Sequence, residues 1–60
     1  MTIRYIPADN LFEWYINDQR MLKSYESSRR ILRSLGYTPN RARLALCIAI
    51  LACGEPIGIS

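Results

Sequence analysis

The chain has no histidine, only two cysteines, and no acidic residue between Ser27 and Gly54. Without histidine it lacks the side chain best suited to general acid–base work near neutral pH, which is also the commonest metal ligand. Cys47 and Cys53 form no C-x-x-C pair. On one helix they would stand about 9 Å apart along the axis, beyond the roughly 7 Å Cα limit for a disulfide. They read as small buried apolar side chains. No glycine-rich phosphate loop is present, and the carboxylates Asp9, Glu13 and Asp18 form no paired arrangement. No serine or cysteine has an evident activating neighbour. The expectation is a protein that is not an enzyme and holds no cofactor and no metal.

Long hydrophobic runs are also missing. The longest, Leu44 to Cys53, has ten residues, against about 20 needed to cross a bilayer. The N-terminal residues Met1-Thr2-Ile3-Arg4-Tyr5-Ile6-Pro7 carry no apolar core and no small-residue cleavage site. A soluble cytoplasmic protein without membrane contact is the expectation.

What is present is an apolar segment with turn chemistry on both sides. Gly36-Tyr37-Thr38-Pro39 supplies a helix stop, an N-cap and a first-turn proline. Gly54 and Pro56 end the next helix. The expected second helix therefore covers residues 39–53. Upstream, Asn10 and Glu13 have capping-box spacing. Leu11, Trp14, Met21, Tyr25, Leu32 and Leu35 recur at helical spacing, with Asp18 and Ser28 as polar members of the same stripe. The expected first helix covers residues 10–35. The predicted fold is all-α, a single small domain: an extended arm over residues 1–8, an antiparallel two-helix hairpin, and a flexible tail over residues 54–60.

A chain of 60 residues is marginal as a lone core and tends to add a disulfide, a metal or a partner chain. The second helix is apolar on all sides, which calls for burial on all sides. Dimerisation into a four-helix bundle answers that need. The expected interface is Leu44, Ala45, Ile48, Ala49, Leu51 and Ala52, joined by Trp14 and Leu22 of the first helix.

The net charge is +3, and Arg29, Arg30, Arg33, Arg41 and Arg43 all fall in the acid-free stretch. With Asn40 they form a patch suited to nucleic acid or an acidic partner. The segment Ile31 to Arg43 resembles a helix-turn-helix step: an apolar helix end, Gly36, the capping Thr38, then polar and basic residues. That resemblance implies DNA contacts from Asn40, Arg41 and Arg43. The order of arm, helix, Gly-x-Thr turn and helix also resembles the ribbon-helix-helix family, in which a strand directly precedes a helix of about four turns. If Phe12 to Ile16 were that strand, its exposed residues would be acidic or aromatic, a poor match to DNA. Beyond Arg43 the second helix has no polar face, which suits a helix partner better than a groove. The leading expectation is a small self-associating protein–protein interaction module of regulatory type. Its size matches cofactor-free accessory proteins of phages and other mobile elements. A small dimeric DNA-binding regulator is the alternative.

Overall fold

Asn17 and Asp18 decide the first half of the chain. Both take positive φ, 49° and 63°, the geometry of a two-residue type I′ turn, whose twist matches that of flanking antiparallel strands. Short polar residues accept that conformation at the least steric cost. Leu11–Ile16 (β2) therefore folds back on Gln19–Lys23 (β3), with Ile16 opposite Gln19 and Phe12 opposite Lys23. A second tight connection, Pro7 to Asn10, has Asn10 at φ 53° and joins Thr2–Ile6 (β1) to β2. The Tyr5 hydroxyl donates to Asn10 Oδ1 at 2.6 Å and braces that turn.

The computed structural model describes residues 1–60. It is an α+β fold: a four-stranded antiparallel sheet in the order β3-β2-β1-β4, with two helices packed on one face. Tyr25–Ser34 (α1) starts at Ser24, whose Oγ accepts from the N–H of Ser27 at 3.2 Å. It ends in a Schellman motif, in which the N–H groups of Tyr37 and Gly36 donate to the carbonyls of Leu32 and Arg33. Gly36 sits at φ 99°, where any other residue would be strained. Pro39–Leu51 (α2) begins at Thr38, whose Oγ1 accepts from the Arg41 N–H at 3.2 Å. Ile57–Gly58 (β4) returns beside β1.

The expected all-α hairpin and four-helix bundle are thus overturned. The stretch assigned to one helix over residues 10–35 is two strands, a turn and a shorter helix. The reason is partly local and partly the pairing of β2 on both of its edges. Leu11 to Ile16 is rich in aromatic and branched side chains, which suit a pleated surface. The I′ turn cuts the helical stripe at Asp18. The expected arm, residues 1–8, is instead an inner strand with a neighbour on each side. The expected flexible tail, residues 54–60, is held: Ile59 is buried, its N–H donates to the carbonyl of Met1 at 2.9 Å, and the Tyr37 hydroxyl donates to the Ser60 carbonyl at 3.0 Å.

Alternation along the strands sorts the side chains onto two faces. Ile3, Phe12 and Trp14 point inward and are fully buried with Leu32 of α1 and Ala42, Leu46 and Ala49 of α2. Tyr5 packs on Phe12 with ring centroids 5.1 Å apart. The alanines of α2 let that helix sit close on α1 and β1. Gly54, at φ 94°, brings the chain back past the Tyr5 carbonyl.

Candidate functional site

Two surface features stand out, and both belong to the helical half. The first is the outer side of α2. Its inner side repeats at Ala42, Leu46 and Ala49, all at 0% exposure. Leu44, Cys47, Ile48 and Leu51 repeat with helical spacing on the opposite side. Leu44, Ile48 and Leu51 are 57%, 51% and 80% exposed, and Cys47 is exposed. A helix that buries one stripe normally shows polar residues opposite; this one shows leucine and isoleucine. Both cysteines, expected to be buried, are exposed free thiols.

The charges around this stripe are one-sided. α2 has no acidic residue in its first turn and no basic residue in its last. Arg41 and Arg43 therefore lie near the positive end of the helix dipole, the less favourable end for a cation. Arg41 lies over the Tyr37 ring at 5.5 Å from its centroid, a cation–π contact. Glu55 follows the negative end of the helix.

The second feature is a groove of about 340 Å³ lined by Arg29, Arg30, Arg33 and Pro39. Successive turns of α1 bring the three arginines to one side, and the Schellman turn sets the start of α2 beside them. Arg29 touches Glu26 at 3.4 Å, and Arg33 donates to the Tyr37 carbonyl at 3.5 Å. Arg30 and Arg43 have no ion-pair partner in the chain.

The other face of the sheet carries a charge network that the sequence did not single out. The Glu13 carboxylate accepts from Arg4 through both of its oxygens, at 3.2 Å each, and from Arg20 at 3.2 Å. Arg4 and Glu13 are cross-strand partners, and Arg20 reaches over from β3. The alternation of β2 is the signal that would have found this network.

No family model matches the chain, and no match exists among curated proteins or solved structures.

The structure divides the residues expected at an oligomer interface. Leu44, Ile48 and Leu51 lie together on the outer stripe, with Ala45 and Ala52 half-buried. Ala49 and Trp14 are consumed by the chain's own core. Leu22 is 47% exposed but lies on the sheet face away from the helices. Of the expected basic contacts, Arg29, Arg30 and Arg33 converge on the groove, whereas Asn40, Arg41 and Arg43 are exposed on α2 outside its lining. No group of three or more cysteine, aspartate or glutamate side chains comes together in a way that could hold a metal ion. No helix is long and apolar enough to cross a membrane.

Proposed function

We propose that this chain is a non-enzymatic, self-associating interaction module, and that two copies meet along the outer stripe of α2. The observation that carries the proposal is the row Leu44, Cys47, Ile48 and Leu51, exposed directly opposite the buried row of the same helix. Burying such side chains gains about 25 cal/mol for each Å² of apolar surface removed from water.

A second copy of this chain fits the stripe for two reasons. The row is symmetric about its midpoint: leucine at each end, Cys47 and Ile48 between. Two antiparallel α2 helices crossing there would set Leu44 of one copy on Leu51 of the other, an isologous contact. The charges agree with that arrangement. Arg41 and Arg43 of one copy would face the negative helix end and Glu55 of the other, compensating what each helix leaves uncompensated within its own chain.

Sedimentation velocity over a concentration series tests the reading. A reversible dimer is expected in the micromolar range. Ile48→Lys should give a monomer with unchanged circular dichroism, because Ile48 is 51% exposed and is not a member of the buried core. A wild-type chain that stays monomeric into the high-micromolar range refutes the proposal.

A further inference from the structure

We propose that the groove lined by Arg29, Arg30, Arg33 and Pro39 binds the phosphodiester backbone of a nucleic acid. This assignment is separate from dimerisation and does not depend on it.

Three observations carry it. The lining consists of three guanidiniums and a proline ring, with no large apolar side chain. The groove offers neither an apolar anchor nor a strand edge, so any ligand it takes is held by charge. Guanidinium forks match the paired oxygens of a phosphate. The charge is also free for use. No acid occurs between Ser27 and Gly54, Arg30 has no partner, and Arg29 has only the exposed contact to Glu26, a kind of pair worth little in water. Finally, the lining covers a turn of α1 from Arg29 to Arg33 and meets Pro39 at the start of α2, so that the three guanidiniums are presented together on one side.

The arginines that line the groove are those of α1, and Asn40, Arg41 and Arg43 lie outside it. Backbone contact without base readout follows, so affinity should be nearly indifferent to base sequence.

The test is fluorescence anisotropy on the full chain, with a labelled duplex of about 20 base pairs and a single strand of the same length, at about 50 and 200 mM KCl. Binding of either form is expected at the lower salt, falling steeply at the higher. The double variant Arg30→Gln/Arg33→Gln should weaken binding by about tenfold or more and flatten the salt dependence by roughly two phosphate contacts. Arg20→Gln/Lys23→Gln removes the same charge from β3 and should weaken binding by less than about threefold, because it alters only the long-range field. All four positions are exposed or half-buried, so both variants keep the fold.

Equal losses in the two variants would reduce the effect to net charge and overturn the proposal. So would the absence of wild-type binding at the lower salt. Displacement by inorganic phosphate at constant ionic strength would assign the groove to a free anion. Equally good displacement by polyglutamate of matched charge would assign it to an acidic protein. Either result would also overturn the proposal.

Discussion

The indole Nε1 of Trp14 donates to Ser28 Oγ at 2.9 Å, and both residues are fully buried. This bond ties the middle of β2 to the second turn of α1. It is also why a serine occupies a core position: Trp14 needs an acceptor, and an alanine there would leave a buried donor unpaired. Ser28→Ala should lower stability by about 1–3 kcal/mol, the penalty of an unsatisfied buried group. Trp14→Phe/Ser28→Ala should lose less than the sum of the single variants, since the two residues share one bond. Urea unfolding followed by circular dichroism measures all three, and strict additivity would rule out the coupling.

Asp18→Gly converts the β2–β3 turn to Asn-Gly, the preferred type I′ pair. At φ 63° a glycine carries no side-chain strain. The variant should raise the thermal midpoint by a few degrees, as a gain of about 0.5–1 kcal/mol does in a domain of this size. Asp18→Val should lower it. Equal midpoints in the two variants would contradict the turn assignment.

Ala49 was expected at a dimer contact, and it is fully buried within its own chain. Ala49→Asp should therefore abolish folding at every protein concentration, because a charge in that position has no partner and no water. A folded, monomeric Ala49→Asp variant would contradict the packing of α2 on the sheet.

If α2 pairs antiparallel about its midpoint, Cys47 lies near the two-fold axis and Cys53 lies away from it, past the helix's C-terminal end. A short bismaleimide should link copies in the Cys53→Ser variant and fail to link them in Cys47→Ser. Both thiols are exposed, so reactivity alone cannot produce the difference. Cross-linking through Cys53 instead would reject the antiparallel register.

Glu13 serves two arginines, and its side chain is 14% exposed. Glu13→Gln should cost about 1 kcal/mol or less, because Arg4 and Arg20 are both solvated. The cost should shrink further in high salt. A loss that is independent of salt would point to packing rather than charge.

The turn chemistry around the helices was readable residue by residue, whereas the anchored tail after Gly54 was not. Thr38 and Pro39 open α2, and Gly36 takes the left-handed conformation that stops α1, because each of these has one dominant local use. The first half was ambiguous for a physical reason. Leu11 to Ile16 satisfies a helical stripe through Leu11 and Trp14. It also satisfies strand alternation through Phe12, Trp14 and Ile16. Propensity alone does not separate the two, since tertiary pairing decides. The two polar members of the helical stripe were the deciding signs. Asp18 is polar because it turns the chain, and Ser28 because it answers Trp14. The apolar character of the run from Leu44 to Cys53 was legible. Which alanines faced inward was not, because that depends on the sheet.

The bond between Ile59 and Met1 has a consequence for the order of folding. The β2–β3 hairpin closes over two residues, and the turn between the helices over a few more, whereas the pairing of β1 with β4 joins residue 2 to residue 58. Contacts this distant in sequence must close a long loop before they gain anything, and they form slowly. The β4 edge is then the last piece to assemble and the first to let go. In native-state hydrogen exchange, the Ile59 amide should open well before the amides of β2, with the helices still in place.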